Sequence, residues 1–348
     1  MDVPARDDEL PSASLETLER RAQLQRAIRQ FFDERGYLEI ETPILSTEMI
    51  SDAWLEPFVA GWTTDPQRWS NGGELRYLQT SPEAHMKRLL VAGATAIYQF
   101  SRVFRNGETG RRHNPEFTML EWYRVGDDHH QQMDFVEELV KSAFLASSAW
   151  RMADSPALSA ARFLRMTYDD AFAQYAGRRV LDSSMSELQA IARQHRLTPP
   201  QGLDEQDRDG WLNFLLAELV EPRLGREQPT FLYHYPASQA ALARVSSSGH
   251  GNVGVAERFE LYVHGVELCN GYHELTDAET LASRTREQAR LRADSGLRPL
   301  PAPDRLLRAM QVGLPESTGV ALGWDRLVML ALEKPTLADV IAFPFDRA

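Results

Sequence analysis

Cysteine is almost absent from this sequence, and so are long apolar runs. Cys269 is the only cysteine among 348 residues, which excludes an internal disulfide and suits a reducing compartment. Met1–Ser14 is acidic and polar and lacks the apolar core of a signal peptide. The apolar stretch around Leu89–Phe100 contains Gly and Thr and is far shorter than the roughly 20 residues of a membrane helix. We therefore expect a soluble cytoplasmic protein.

An excess of basic residues is also missing. The chain has 50 acidic and 38 basic residues, a net charge of −12, and no run rich in Lys and Arg. Proteins that bind nucleic acid gain much of their affinity by neutralising phosphates. The charge therefore has the wrong sign for a protein whose affinity would come from neutralising phosphates. The length allows one large domain or two ordinary ones.

The most informative segment that is present is a polar loop between two stretches typical of strands. Ile97–Phe104 precedes the loop, and Phe117–Tyr123 follows it with residues that favour β-structure. The loop contains three arginines, a histidine and an asparagine, where a solvated turn normally carries Gly, Asp and Ser. Guanidinium groups bind phosphate oxygens bidentately, so the pattern predicts a hairpin that binds a polyphosphate. The alternative is an exposed hairpin with a charged surface.

Helical periodicity recurs along the chain. Leu15–Arg35 shows one apolar face, Gly36 ends this helix, and Leu38–Glu41 reads as a strand up to Pro43. Ser81-Pro82-Glu83 is typical of a helix start. The spacing predicts further helices over Met133–Ala146, Tyr168–Tyr175, Met185–Arg196 and Trp211–Leu224, and strands over Pro229–Tyr235 and Phe259–Val266. Ser184 and Glu187 have the spacing of a capping box.

Two familiar patterns lack the context that they need. Residues 249–254 match Gly-x-Gly-x-x-Gly, but serines precede them and a strand-like segment follows, so we predict a flexible loop rather than a dinucleotide site. His273-Glu274 lacks the second histidine of a His-Glu-x-x-His site. We also expect no Cys/His cluster that could hold zinc.

Five segments together resemble one enzyme class. Phe104–Tyr123 is similar to motif 2 of class II aminoacyl-tRNA synthetases, and most similar to the lysyl branch through its Arg-His-Asn-Pro-Glu-Phe-Thr-Met run. Gly319–Leu330 resembles motif 3, and Gln30–Pro43 resembles motif 1. Thr80–Glu83 and Glu267–Leu275 resemble segments of the substrate pocket. The resemblance extends from about residue 20 to the C-terminus.

The resemblance implies a fold and an assembly. We expect an α/β class II synthetase core, with a mostly antiparallel sheet flanked by helices. It would occupy residues 15–348 as one catalytic domain after a flexible N-terminus at 1–14, with a helical insertion at about 131–224. In this class motif 1 forms the dimer interface, so the resemblance implies a homodimer.

The resemblance also narrows the reaction. Lysyl-tRNA synthetases carry an N-terminal anticodon-binding domain, for which the sequence before motif 1 leaves no room. A core of this kind without tRNA contacts resembles the elongation factor P–(R)-β-lysine ligases, which adenylate β-lysine with ATP and attach it to a lysine of elongation factor P. The alternatives are a stand-alone lysyl-tRNA synthetase core or another amino-acid activating ligase, and a non-catalytic paralogue that binds an amino acid.

Roles at the nucleotide follow from the same resemblance. Arg105 would bridge the substrate carboxylate and the α-phosphate, and Arg326 would stack on the adenine opposite Phe117. Glu260 and Glu267 would hold the Mg²⁺ that binds ATP, because this ion prefers oxygen ligands such as carboxylates. The remaining expected ATP contacts are Asn106, Gly107, Glu108, Arg112, His113, Asn114, Leu268 and Gly323.

The expected amino-acid pocket is acidic. Its residues would be Ser81, Pro82, Glu83, Glu121, Tyr123, Asn270, Tyr272, Glu274 and Ala321. Carboxylates that share a partly buried site raise one another's pKa, and a substrate with two ammonium groups removes that repulsion. Ala321 stands where the tRNA synthetases have glycine, so its methyl group is expected to disfavour α-lysine. Gly107 replaces a glutamate that Glu108 would supply, and Trp324 is unexpectedly bulky.

Overall fold

A computed structural model describes residues 9–50, 52–65, 73–147 and 162–348. The fold is mixed α/β, with a large, mostly antiparallel sheet flanked by helices, as predicted. The chain divides into two compact units: unit 1 comprises residues 1–126, 138–150 and 275–348, and unit 2 comprises 127–137 and 151–274. The single catalytic domain with an insertion stays a prediction, and residues 1–8 of the expected flexible N-terminus lie outside the described residues.

Unit 1 places its strands in two sheets. In the larger, β1 (Leu38–Glu39) runs parallel to β5 (Ala96–Phe104), which pairs antiparallel with β6 (Glu116–Val125), and β6 pairs antiparallel with β12 (Ser317–Gly323). The smaller sheet contains β2 (Leu45–Ser46), β4 (Glu74–Leu78) and β3 (Val59–Trp62). The predicted strand–loop–strand is confirmed as β5, β6 and the loop between them.

Helix α1 (Leu15–Asp33) of unit 1 packs on one face of the larger sheet. It begins at Ser14, whose Oγ accepts a hydrogen bond from the amide of Thr17. Phe32 of α1 stacks on Tyr98 of β5 at 4.3 Å between ring centroids. The unit's other helices are α2 (Glu83–Val91), α7 (Ala278–Asp294), α8 (Asp304–Gly313) and α9 (Trp324–Ala331). Because one face carries this apolar core, the other face is left for polar residues.

Unit 2 has its own strand pairs and its own apolar core. Strand β10 (Val255–Val263) pairs antiparallel with β11 (Val266–His273), β8 (Thr230–Pro236) and β9 (Val245–Ser246), and β8 runs parallel to β7 (Leu164–Thr167). Helices α4 (Tyr168–Ala176), α5 (Met185–Gln194) and α6 (Arg208–Leu215) pack on it through buried apolar side chains. Helix α3 (His129–Ala146) begins in unit 2 and ends in unit 1.

The helices of the insertion agree with the sequence predictions in position more than in length. The capping box of Ser184 and Glu187 is present at the start of α5. The helix predicted over Trp211–Leu224 begins earlier, at Arg208, and changes to a π-helical turn at Leu216–Val220 before Pro222. Residues 249–254 contain only a short 3-10 turn, so no helix follows the glycines. Within the described residues, no helix has the length and apolar character needed to cross a bilayer.

Candidate active site

The polar face of the larger sheet in unit 1 centres on Glu121 of β6. In the strand register Glu121 lies between Gln99 of β5 and Ala321 of β12. Residues two apart on a strand share a face, so Phe117, Met119, Glu121 and Tyr123 lie on the same side of β6. Ala321 therefore stands on this face beside Glu121, with Gly319 and Gly323 two positions away on either side.

Glu121 is a buried carboxyl group held by two hydroxyl groups. Its side chain accepts hydrogen bonds from Tyr123 Oη at 2.7 Å and from Ser81 Oγ at 2.8 Å. Burial, followed by repulsion from Glu83, raises the pKa of Glu121 to about 8. The carboxyl group is therefore largely protonated at neutral pH, unless a cation approaches it.

Glu83 lies at the start of α2 and is neutralised within its own helix. Lys87 donates a hydrogen bond from Nζ to Glu83 Oε1 at 2.5 Å, and the lysine is buried. The Glu83 amide donates to Ser81 Oγ at 3.1 Å, and Pro82 caps the helix. Sequence reasoning missed Lys87, although its spacing of four residues from Glu83 is typical of an ion pair on one helix face.

The loop after β5 positions Arg105. Its guanidinium carbon lies 5.2 Å from the centroid of the Phe117 ring, and Glu108 Oε1 lies 3.8 Å from one of its terminal nitrogens. The buried Nε of Arg105 has no hydrogen-bond partner among the described residues. Gly107 has φ 86°, a left-handed conformation that suits glycine. Glu108 lies beside Arg105, and its replacement of a glutamate at 107 stays a prediction.

Arg326 and His113 contact each other beside this loop. Arg326 donates through Nε to the Arg112 carbonyl at 3.2 Å, and its terminal nitrogen lies 2.8 Å from His113 Nε2. Burial, followed by the charge of Arg326, lowers the pKa of His113, so a neutral ring accepts the hydrogen bond from the guanidinium. An added Cβ at Gly323 would lie 3.4 Å from Arg326 Cδ, so glycine leaves room for that side chain.

Asn114 is occupied within the protein. Its amide nitrogen donates to the Glu116 carbonyl at 2.5 Å, and its amide oxygen accepts from the Phe345 amide at 2.9 Å. Its contact with nucleotide stays a prediction, and its observed role is to hold the start of β6 and the C-terminal segment.

The bulky residue of the motif 3 segment belongs to the core. Trp324 is buried and packs edge-on against Phe100, with ring centroids 5.0 Å apart. The next residue, Asp325, accepts a hydrogen bond from the Thr118 amide at 2.8 Å and pairs with Arg21 at 2.5 Å. These contacts hold α9 against β6 and so fix the backbone position of Arg326.

In unit 2 the predicted residues cluster around Glu260 of β10. Tyr235 and Tyr262 donate their hydroxyl hydrogens to Glu260 Oε2 at 2.6 and 2.7 Å, and Arg258 pairs with Oε1. Burial, followed by the Glu260 carboxylate, raises the pKa of both tyrosines, so their hydroxyls stay protonated as donors. Arg258 is a residue that sequence reasoning missed. Arg258 and Glu260 are two residues apart on β10 and so share a face of the strand, and this spacing could have been read from the sequence.

Strand β11 carries the other predicted residues of unit 2. Asn270 pairs with Glu260 in the strand register, accepts a hydrogen bond from Arg258 Nε at 3.2 Å and donates one to Tyr272 Oη at 3.1 Å. Leu268 and Glu274 are buried, and Glu267 is partly exposed. The structure thus groups Glu260, Asn270 and Tyr272 around one arginine.

The two predicted metal ligands differ in their fit to Mg²⁺. Glu267 offers a partly exposed carboxylate, and hard oxygen ligands suit this ion. Both oxygens of Glu260 already accept hydrogen bonds, and one comes from Arg258, so a cation at Glu260 would compete with the charge of that guanidinium.

A comparison with protein-family models matches residues 10–347 to the family described as tRNA synthetases class II (D, K and N). The match covers nearly the whole chain. It includes all of the predicted site residues in both units.

Proposed function

From the premise that this chain belongs to the class II tRNA synthetases of the D, K and N type, we propose that it is a ligase that adenylates (R)-β-lysine and transfers it to elongation factor P. Membership of the family implies activation of an amino acid by ATP. The lysine-like substrate and the ε-amine of a lysine as acceptor are the finer parts of the proposal.

The observation that carries the choice of substrate is the buried carboxyl group of Glu121. Its pKa of about 8 means that ionisation of Glu121 beside the carboxylate of Glu83 is electrostatically unfavourable. An ammonium group next to Glu121 favours the ionised form and offsets the cost of burial. A substrate with a terminal ammonium group therefore fits this site.

The proposed activation step is an in-line attack of the substrate carboxylate on the α-phosphate of ATP, which releases pyrophosphate. Arg105 supports this step because its buried Nε has no hydrogen-bond partner among the described residues and could donate to a ligand. Arg105 would stabilise the charge that develops on the phosphate, and Arg326, held by His113, would contact the nucleotide. Mg²⁺ held at Glu267 with Glu260 would neutralise phosphate charge when bound.

The net charge supports a protein acceptor rather than tRNA. At −12 the chain would repel a polyanion unless basic residues were concentrated in one place, and no run rich in Lys and Arg occurs. We also propose a homodimer formed through the segment that resembles motif 1. The apolar side chains of Leu38 and Leu45 are exposed in unit 1, which is consistent with a covered surface there.

Two assays test the proposal in sequence. Pyrophosphate exchange measured with α-lysine and β-lysine side by side should show a higher kcat/KM for β-lysine. Mass spectrometry of elongation factor P, after incubation with the enzyme, ATP and β-lysine, should then show one added β-lysyl group. Efficient lysylation of tRNA with elongation factor P left unmodified would refute the acceptor, and no exchange with either amino acid would refute the substrate class.

A further inference from the structure

Four histidines from three separate segments of the sequence meet in unit 2, outside the predicted active-site residues. His129 and His130 begin α3, His234 lies in β8, and His273 ends β11. The ligand-capable atoms of His129, His130 and His234 all lie within 4.8 Å of one another. The ring centroids of His129 and His130 are 4.1 Å apart, and those of His129 and His234 are 5.5 Å apart.

His129 is the central member of this cluster. It is 5% exposed, and neither of its ring nitrogens has a hydrogen-bond partner among the described residues. A buried imidazole without partners is costly, because its polar atoms have lost water and gained nothing in exchange. His130 and His234 are more accessible, so the cluster reaches from the interior toward solvent.

The backbone of β8 and β10 is irregular at this point. Ala256 pairs with Tyr235 and Phe259 with Tyr233, so His234 alone faces two residues of β10, Glu257 and Arg258. His234 itself has φ 60°, a conformation that costs energy for a non-glycine residue inside a strand. The bulge brings Glu257 beside the histidines, with its Oε2 3.8 Å from His129 Nδ1.

We propose that His129, His130 and His234 form a binding site for a divalent transition-metal ion of the zinc type, with Glu257 as the carboxylate that orients His129. Three imidazoles are a known ligand set for zinc, which leaves a fourth position for water or another ligand. Tetrahedral zinc with Zn–N distances of about 2.0–2.1 Å needs its ligand atoms about 3.4 Å apart. Side-chain rotations can close the remaining gap.

The surroundings of His129 favour a metal as its ligand. A zinc ion accepts lone pairs of imidazole nitrogens, so it would give the buried His129 ring the partner that the described residues do not supply.

A second grouping, His129 with Glu257 and His273, is weaker because its carboxylate is already engaged. Glu257 Oε2 lies 2.6 Å from His273 Nδ1 and 3.1 Å from Arg244 Nε. Coordination by this set would break both contacts. In the proposed set Glu257 keeps them, and metal-bound histidines commonly donate their second ring nitrogen to such a carboxylate.

The test is zinc titration of protein without a polyhistidine tag, in competition with a chromophoric chelator. The wild type should bind one Zn²⁺ per chain. His130→Asn and His234→Asn should each weaken the affinity by at least about 100-fold, more than the roughly 10–100-fold expected for Glu257→Gln. Asparagine is chosen because it tolerates the left-handed conformation of His234. The exposed His250 provides the control, and His250→Asn should leave the affinity unchanged.

A second measurement separates loss of the site from loss of the fold. Zn²⁺ should raise the thermal unfolding midpoint of the wild type and of His250→Asn, but not those of His130→Asn or His234→Asn, because a ligand stabilises only the state that binds it. Failure of the wild type to bind Zn²⁺ stoichiometrically would overturn the proposal. Loss of binding in His273→Asn with binding retained in His130→Asn and His234→Asn would overturn the assignment of ligands.

Discussion

Replacement of Glu121 by glutamine should make the stability of this protein less dependent on pH. The folded-state pKa of about 8 lies above the ordinary value of 4.5, so between these values the folded state holds a proton that the unfolded state has lost. Stability from this group is therefore present at low pH and is lost as pH rises through this window. At 1.36 kcal/mol per pH unit, the loss is on the order of 4 kcal/mol between about pH 5 and pH 9.

The glutamine side chain preserves the observed hydrogen bonds without the titration. Its amide oxygen can accept from Tyr123 Oη, and its amide nitrogen can donate to Ser81 Oγ, so the geometry around residue 121 needs little change. Glu121→Gln should be within about 1 kcal/mol of the wild type at about pH 5 and more stable than the wild type at about pH 9.

Urea unfolding followed by tryptophan fluorescence at both pH values measures this difference. Other groups titrate in both proteins, so the quantity to compare is the variant's free energy of unfolding minus that of the wild type. Glu116, at the start of the same strand, has a side chain that is 48% exposed, and Glu116→Gln should show no such change with pH. Parallel pH profiles of Glu121→Gln and the wild type would refute the reasoning.

Two further predictions concern the reaction. Arg105→Ala should lower pyrophosphate exchange by about 10²–10³-fold, because it removes a charge-stabilising donor. Arg102→Ala changes an exposed arginine of β5 and should leave the exchange rate unchanged. Near-normal exchange in Arg105→Ala would contradict the assignment. Ala321→Gly should raise kcat/KM for α-lysine relative to β-lysine by up to roughly 10–200-fold, because the methyl group beside Glu121 is removed; an unchanged ratio would place the selectivity elsewhere.

The features that were predicted from the sequence depend on neighbours along the chain. The hairpin of β5 and β6 and the start of α2 at Ser81-Pro82-Glu83 are local patterns, and both are confirmed. The fold class followed from ordered motifs, each of which keeps its own local signature. The face that contains Glu121 and Tyr123 was likewise available from alternation along one strand.

What could not be predicted depends on contacts between segments that are distant in sequence. Trp324 had no explanation until Phe100 was seen against it, and the engagement of Glu260 requires Tyr235, which comes from another strand. The histidine cluster is the strongest case. Its members have no zinc-site spacing, and only the pairing of β8 with β10 and the position of α3 bring them together.

The alternation of side chains along β6 explains why Glu121 and the other expected site residues of this strand lie on one face of the sheet. One face of this strand packs on α1 through Trp122, which fixes the backbone and with it every side chain on the other face. Glu121 is therefore held by a rigid strand in a place where it cannot be fully solvated. Two hydroxyl groups satisfy its hydrogen bonds but supply no positive charge that would stabilise its ionised form. A cation is therefore the ligand that we propose for this site, and we expect the methyl group of the adjacent Ala321 to limit how closely the α-carbon of the substrate can approach.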